Sequence, residues 1–328
     1  MTSRDVASAH GDARTTPTPG TPGDAIRTGH AQAGYRVRFD WALDGALAVA
    51  AGADVAVVVD VLSFTTAVGV ALDAGTEVLP YRWADPTAAA FAERHDAVLA
   101  LPRSVARPGD LSLSPASIRA ASGVPGASGV GAASGVGAAS GVGAASGVGA
   151  ASGVGAASGV GAASGVGAAS GVRRLVLPSP NGSTICWHLA ERLGVPTVLA
   201  ASLRNAAAVA RWVADRPDAA ALTVAVVAAG ERWPGGGLRP AVEDAWGAAA
   251  VLRGVADALG DEALSPEARS TAALVPPGDV AAALAACASG GELAADGYDE
   301  DVRIAAEVDA SRVVPGLVDG RFVDLAPG

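Results

Sequence analysis

Short apolar runs that alternate with alanine-rich stretches constrain the fold of this chain more than any other feature. The apolar runs predict strands at residues 54–60, 77–81, 97–101, 174–178, 196–200 and 222–229. The intervening and following stretches predict helices at 64–74, 85–94, 182–193, 204–215, 241–259, 266–275, 279–287 and 299–308. This alternation predicts an α/β fold of layered αβα type with a mainly parallel or mixed sheet. Residues 312–316 and 320–323 predict a short strand pair or an edge addition to that sheet.

Two segments fall outside this pattern. Residues 1–34 are rich in threonine, proline and glycine and lack apolar periodicity, which predicts a disordered tail without the apolar region of a signal peptide. In residues 120–172, Ala-Ser-Gly-Val recurs every six residues. The repeat fits the loose pattern of a hexapeptide β-helix, but its small residues bury too little surface to offset the ordering of the backbone. We therefore predict a disordered insertion in one α/β domain formed by residues 35–119 and 173–328.

Composition excludes several classes of function. A net charge of −10 argues against binding to nucleic acid, which requires clustered basic residues. No apolar run reaches the roughly 18 residues of a membrane span. The two cysteines, Cys186 and Cys287, are too few for a disulfide framework or a cysteine-based zinc site, which favours the cytoplasm. We expect a small-molecule partner, and we leave open whether the protein forms a homo-oligomer.

The first candidate loop follows the strand at residues 54–60. Asp60 ends a buried apolar run, so its carboxylate needs a hydrogen-bond partner, an ion pair or a metal ion to stay ionised. Ser63, Thr65 and Thr66 then lie at the amino terminus of the next predicted helix. Their hydroxyls have two interpretations, because such groups cap helices and also bind oxyanions.

The second candidate loop reads Ser-Pro-Asn-Gly-Ser-Thr over residues 179–184. Gly182 lets the backbone approach a ligand closely, while Asn181, Ser183 and Thr184 supply polar groups at the start of a helix. A phosphate-binding loop and a plain capped turn both fit this sequence.

The third candidate loop follows the strand at residues 222–229. Glu231, Arg232 and Arg239 lie in it, and Glu243 and Asp244 follow in the first turn of a helix. The two carboxylates suit either the helix dipole or a hard cation such as Mg²⁺. In a parallel sheet all three loops emerge at one edge, where carboxylates, arginines and helix amino termini would meet the needs of phosphoryl transfer.

These segments together resemble the 2-phosphosulfolactate phosphatase (ComB) family, and the chain is similar to an actinobacterial branch of it. The resemblance is carried by residues 57–71, 81–83, 113–117, 177–184, 203–207, 229–244, 287–293, 301–306 and 314–315. It implies a Mg²⁺-dependent hydrolase that releases phosphate from 2-phospho-3-sulfolactate, a step on a route to coenzyme M. Ser63 and Gly291 stand where other members of the family have arginine, which leaves the exact substrate open.

Our leading hypothesis assigns a role to each candidate residue. Asp60, with Glu243 or Asp244, holds Mg²⁺, and Glu231 positions or deprotonates water. The predicted catalytic residues are Asp60, Glu231 and Arg232. The predicted substrate-binding residues are Ser63, Thr65, Thr66, Asn181, Gly182, Ser183, Thr184 and Arg239.

Several alternatives remain at this point. Asp60 is either a metal ligand or a nucleophile that forms an aspartyl-phosphate. A non-catalytic anion-binding protein, or a phosphatase for another phosphorylated carboxylic acid, also fits the sequence. Haloacid-dehalogenase-type phosphatases need an aspartate where this chain has Leu62, and isochorismatase-like hydrolases need an activated cysteine.

Overall fold

The computed structural model describes residues 29–82, 87–122 and 172–326. Most of the predicted tail and nearly all of the repeat insertion lie outside these ranges. Within them, no helix is both long enough and apolar enough to cross a membrane.

The described residues form a nine-stranded mixed sheet and a separate two-stranded hairpin. The strands are β1 (Val37–Trp41), β2 (Val55–Val59), β3 (Glu77–Arg82), β4 (Val98–Leu99), β5 (Arg174–Ser179), β6 (Thr197–Ala201), β7 (Val224–Ala228), β8 (Glu231–Arg232), β9 (Leu238–Arg239), β10 (Pro315–Val318) and β11 (Arg321–Asp324). The order across the large sheet is β1-β7-β2-β6-β10-β11-β3-β5-β4, and β8 pairs with β9. The predicted α/β class with a mainly parallel or mixed sheet is confirmed.

Helices cover both faces of the sheet. They are α1 (Ala42–Val49), α2 (Phe64–Asp73), α3 (Ala88–Arg94), α4 (Pro115–Ala121), α5 (Gly182–Trp187), α6 (Ala206–Ala214), α7 (Val242–Leu259), α8 (Pro266–Ala272), α9 (Val280–Ala286), α10 (Ala288–Ala295) and α11 (Asp299–Ala305). A π-helical turn, His188–Arg192, continues α5, and short 3₁₀ turns occupy Ala219–Ala221 and Asp261–Ala263.

The central strands show why an uninterrupted apolar run is needed here. In β2, Val55, Val57 and Val59 pack into the hydrophobic core on one face, whereas Ala56 and Val58 pack into the core on the other. Successive side chains of a strand point to opposite faces, so a strand that is covered by helices on both sides has no polar position. The polar residues of this region therefore begin where the strand ends.

The carboxyl-terminal strand pair lies in the middle of the sheet. The sequence predicted a strand pair or an edge addition, and the pair does form, but the edge position is wrong. β10 pairs antiparallel with β6, and β11 pairs antiparallel with β3, so the two strands join two parallel halves. Phe322 on β11 is fully buried, which is how a short strand at the end of the chain contributes to the core.

The two halves bring their loops together by different routes. β2 and β7 are neighbouring parallel strands, so their following loops lie side by side. β5 belongs to the other half and is five strands away from β2, with three antiparallel pairings between them. β5 therefore runs opposite to β2, yet the loop after it reaches the β2 loop, where the Gly182 N–H donates to Oδ2 of Asp60 at 3.2 Å. The shared edge of a flat parallel sheet is therefore the wrong explanation for their meeting.

Some elements carried no clear sequence signal. The predicted strands all occur, with ends that shift by up to three residues. β1, α1, α4, α10 and the β8–β9 hairpin were not predicted. β1 is a five-residue strand at the edge of the sheet whose sequence includes Arg38 and Asp40, so it lacks the apolar run by which the central strands are recognised.

We predict that Gly247→Ala destabilises the protein while Gly69→Ala does not. A Cβ at Gly247, in α7, would lie 2.7 Å from methyl carbons of Val59 and Val61, whereas a Cβ at Gly69, in α2, meets nothing within 4 Å. Overpacking of this kind costs roughly 1–3 kcal/mol. Alanine inside a helix gains roughly 0.5–1 kcal/mol over glycine.

Urea unfolding of the two variants and the wild type measures both effects. A Gly247→Ala variant as stable as the wild type would show that α7 does not pack closely on the end of β2.

Candidate active site

One carboxylate joins the loops that follow β2 and β7. Asp244, in the first turn of α7, is only 4% exposed. One of its oxygens accepts the Val61 N–H at 2.7 Å, and the other accepts the Gly230 N–H at 2.8 Å. Asp244 therefore ties α7 to both loops at once, and its position at a helix amino terminus favours its negative charge.

Asp60 forms a second junction, between the loops that follow β2 and β5. Its Oδ1 accepts the backbone N–H groups of Ser63 and Phe64 at 2.9 and 3.2 Å, and its Oδ2 accepts the Gly182 N–H at 3.2 Å. A Cβ at Gly182 would lie 2.7 Å from Oδ2 of Asp60 and 2.5 Å from a ring carbon of Phe64. Only glycine lets the two loops come this close.

Three of the predicted substrate-binding hydroxyls instead hold the loops in shape. Thr65 and Thr66 are fully buried and donate to the carbonyl oxygens of Asp60 and Val61 at 2.7 and 2.8 Å. Ser183 is also fully buried and donates to the carbonyl oxygen of Tyr81 at 2.6 Å. These three hydroxyls do not line the cavity described next, and neither α2 nor α5 has a side-chain cap, so they stabilise the loop backbone rather than bind an oxyanion.

A polar cavity of about 310 Å³ opens beside Asp60. Its lining residues are Asp60, Leu62, Ser63, Pro102, Arg103, Ser104, Leu113, Ser179, Pro180, Asn181, Glu231, Ser289, Glu292, Leu293 and Asp296. Four of the predicted site residues are therefore brought together at one cavity: Asp60, Ser63, Asn181 and Glu231. The volume suits a small organic phosphoester, being at the low end for ligand pockets.

Asn181 connects the acidic cavity to the arginines of the hairpin. Its Nδ2 donates to Oε2 of Glu231 at 3.2 Å, and its Oδ1 accepts from Nε of Arg232 at 3.2 Å. Arg232 lines an adjoining cavity of about 140 Å³, which shares Asn181 and Glu231 with the larger one. The amide fixes the position of Glu231 at the boundary between the two cavities.

Arg239, the predicted substrate-binding arginine, has different neighbours. Arg239 donates to Glu292 at 3.2 Å and to Ser289 at 3.4 Å, and its guanidinium stacks over the Trp233 ring. It does not line the larger cavity, although two of its partners do. Thr184 makes only a long contact, 3.3 Å, with the carbonyl oxygen of Ser179.

Burial and mutual repulsion raise the pKa values of carboxyl groups in the site. Burial raises the pKa of Asp60 despite the three amide donors around it. Burial, followed by the charges of Asp60 and Glu243, raises the pKa of Asp244. Burial, with the charge of Asp60 next, raises the pKa of Glu231 to about 7. The protein therefore concentrates more negative charge at this point than its own groups compensate, and Glu231 titrates near neutrality.

The donors of the cavity fit a hard cation. Asp60, Glu231, Glu292 and Asp296 face a single basic side chain, Arg103, among the described lining residues. An anionic phosphate entering this cavity would be repelled unless a cation offsets the carboxylates. No group of three or more His, Cys, Asp and Glu residues in the described ranges is arranged to hold a metal by itself. Mg²⁺ does not need one, since one or two carboxylates, waters and substrate oxygens complete its shell.

Neither cysteine has the surroundings of a nucleophile. Cys186 and Cys287 are both buried and unpaired. Burial raises the pKa of both thiols, that of Cys287 to about 12, with the charge of Glu243 adding to the effect. Such thiols carry almost no thiolate at neutral pH, which opposes a cysteine-dependent hydrolase.

Part of this site lies in a region that matches a known protein family. Residues 168–320 match the family model described as 2-phosphosulpholactate phosphatase. This part of the chain belongs to that family. The family is one of phosphoric monoester hydrolases, and the chain is an enzyme of this class. A search of curated proteins found no match. The matched region contains Asn181, Glu231, Arg232 and the start of α7, whereas the Asp60 loop lies before it.

Sequence reasoning missed three charged residues of the cavity, Arg103, Glu292 and Asp296, of which Arg103 is the basic one. Arg103 follows β4 in a loop that has no motif, and nothing in its neighbours indicates a site. Its role depends on α11, which is almost 200 residues further along the chain. The chain has no lysine, so its 23 basic residues are all arginines, and a single arginine does not stand out.

We predict that Glu231→Gln changes how stability depends on pH in metal-free protein. A carboxyl whose pKa rises from 4.5 in the unfolded chain to about 7 in the folded protein stabilises the fold below pH 4.5. That contribution is lost as the pH rises to 7. Glutamine does not ionise, so the variant should gain stability relative to the wild type between pH 5 and pH 8, by on the order of 1–3 kcal/mol.

Denaturant unfolding in the presence of a chelator checks this, with the exposed Glu267→Gln as the matched control. If the difference in unfolding free energy between Glu231→Gln and the wild type did not change with pH, a raised pKa of Glu231 would be ruled out.

Proposed function

We propose that this enzyme is a Mg²⁺-dependent phosphatase that converts 2-phospho-3-sulfolactate, or a similar small anionic phosphoester, into the alcohol and phosphate. The observation that carries the proposal is the acidic cavity in which Asp60 and Glu231 lie together. The family match supports phosphate-ester hydrolysis as the reaction class. The cavity of about 310 Å³ supports a substrate of a few carbon atoms and is also wide enough for other phosphorylated carboxylic acids.

Asp60 is the residue best placed to hold the cation. Each carboxylate oxygen has two lone pairs. Oδ1 of Asp60 accepts two amide hydrogens, whereas Oδ2 accepts one. Oδ2 therefore keeps the capacity to bind a metal ion or to attack phosphorus, and both roles suggested for Asp60 belong to this one atom. Mass spectrometry of acid-quenched turnover mixtures separates them, since only the nucleophile leaves phosphate on Asp60.

Of the other two predicted metal ligands, Glu243 is better able than Asp244 to offer an oxygen to a metal ion. Both oxygens of Asp244 accept short amide hydrogen bonds that join the two loops. Glu243 is 2% exposed, and its charge acts on Glu231, Asp244 and Cys287. We propose Asp60 as the principal ligand, with Glu243 as the second. Mg²⁺ bound there would neutralise the carboxylates and polarise the phosphoryl oxygens.

Glu231 is suited to moving a proton. A group with a pKa of about 7 is present in both protonation states at neutral pH, which is the condition for an efficient general acid or base. Asn181 fixes its carboxylate by donating to Oε2, so Oε1 is the oxygen available to a water molecule in the cavity. We propose that Glu231 deprotonates or orients the attacking water. Arg232 orients Asn181 through the contact with its Oδ1.

The predicted location is the cytoplasm. Both cysteines are unpaired, which suits a reducing compartment.

We predict that phosphate release requires Mg²⁺ and is lost in Asp60→Asn. Purified full-length protein is incubated with phosphosulfolactate and with simple phosphoesters, with Mg²⁺ or with a chelator, and released phosphate is measured. Removing a group that stabilises charge in the transition state costs roughly 100-fold or more in kcat.

Asp54→Asn is the matched control. Asp54 directly precedes β2, at the opposite end of the strand from Asp60. Its exposed carboxylate accepts the Thr223 N–H. This variant should keep wild-type activity, and melting curves show that both variants fold. Metal-independent release by the wild type, or full activity in Asp60→Asn, would contradict the proposal.

A further inference from the structure

Arg103 is a charged residue of the cavity that the hydrolytic mechanism does not use. It lies in the loop after β4, and its side chain is 17% exposed. Among the described residues that line the cavity, it is the only basic one. Asp60 follows β2, and Glu231 follows β7. Arg103 comes from the loop after β4 and is ion-paired with Asp301 in α11, so the acidic and basic groups reach the cavity from different elements.

The guanidinium of Arg103 is held in one orientation. Its Nη2 and Nε donate to Oδ2 of Asp301 at 2.9 and 3.2 Å. The guanidinium carbon lies 5.5 Å from the centroid of the Tyr298 ring. The Tyr298 hydroxyl donates to the Arg103 carbonyl oxygen at 2.8 Å, so the backbone is anchored as well. An arginine fixed in this way loses little further entropy when it binds an anion.

Asp301 is itself fixed, which makes the arrangement rigid. It is 1% exposed, and its Oδ1 accepts the Ser114 hydroxyl at 2.5 Å and the Ala116 N–H at 3.1 Å. These contacts join the Arg103 loop, the amino terminus of α4 and α11. Both oxygens of Asp301 are thereby used, one by α4 and the other by Arg103.

One edge of the guanidinium remains available. A guanidinium has five N–H donors, two of them on Nη1. Among the described residues, none accepts a hydrogen bond from Nη1 of Arg103, although its other two nitrogens are both bonded. An arginine needed only to neutralise Asp301 would not have to line a polar cavity. This one does, and its Nη1 donors are not used by Asp301.

We propose that Arg103 binds the second, non-reacting anionic group of the substrate, a carboxylate or sulfonate. The inference rests on the proposed phosphatase function, in which the phosphoryl group lies at Asp60. Arg103 then selects phosphoesters that carry a further acidic group, and Asp301 and Tyr298 are the residues that position it. Arginine suits this task because it pairs with planar or trigonal arrays of anionic oxygens through two parallel hydrogen bonds.

The test compares two esters that differ at one group. In 2-phosphoglycerate a carboxylate stands where glycerol 2-phosphate has a hydroxymethyl group. In Arg103→Gln, kcat/KM for 2-phosphoglycerate and for phosphosulfolactate should fall roughly 10- to 100-fold, mainly through KM, as expected for loss of a charged hydrogen bond. The value for glycerol 2-phosphate should change less than about threefold. Arg107→Gln, an exposed arginine on the same loop, is the matched control and should behave as wild type.

A binding measurement tests the proposal without turnover. Calorimetric titration of 3-sulfolactate with Mg²⁺ present should give a Kd that is roughly 10-fold higher or more for Arg103→Gln than for Arg107→Gln. Equal losses for both esters, or an unchanged Kd for sulfolactate, would overturn the role of Arg103. A wild-type protein that binds sulfolactate through Arg103 but releases no phosphate from any ester would instead overturn the proposed function alone.

Discussion

The burial of several carboxylates at one point is the constraint on which the rest of this structure depends. Asp60 and Asp244 lie almost fully inside the protein, and Glu231 and Glu243 add their charges. Backbone amides compensate part of the cost, through five hydrogen bonds to Asp60 and Asp244. They do not compensate all of it, because the pKa of each of these two groups is still raised. We propose that a bound cation offsets the negative charge that the amides leave uncompensated.

The same hydrogen bonds explain how distant parts of the sheet form one site. Asp244 joins the neighbouring β2 and β7 loops, and Asp60 brings in the β5 loop from the other half of the sheet. The strand pair β10–β11 separates the halves, so the β5 loop meets Asp60 although β5 is not a neighbour of β2 in the sheet. Gly182 completes the junction, since a side chain there would collide with Asp60 and Phe64. Site geometry and sheet architecture are thus parts of one arrangement.

The fold was largely predictable because its central strands are buried on both faces and so have uninterrupted apolar sequences. The same rule picked out Asp60, since a carboxylate directly after such a run is costly unless it has a partner. Thr65, Thr66 and Ser183 could not be assigned from the sequence. A hydroxyl at the start of a helix has the same sequence signature whether it faces a ligand or a backbone carbonyl, and here all three bond to carbonyls. Arg103 was unpredictable because Asp301, which positions it, is remote in sequence.

The most direct test of whether the buried carboxylates hold a cation is a crystal structure of the protein with Mn²⁺ and tungstate. These ions replace Mg²⁺ and phosphate, and both are located by anomalous scattering. We expect a Mn²⁺ peak about 2.0–2.3 Å from Oδ2 of Asp60, a second carboxylate ligand from Glu243, and tungstate beside the metal in the cavity. The amide bonds from Val61 and Gly230 to Asp244 should remain in place. A metal bound elsewhere, or tungstate bound in the cavity without metal, would contradict the claim that these buried carboxylates exist to hold a cation.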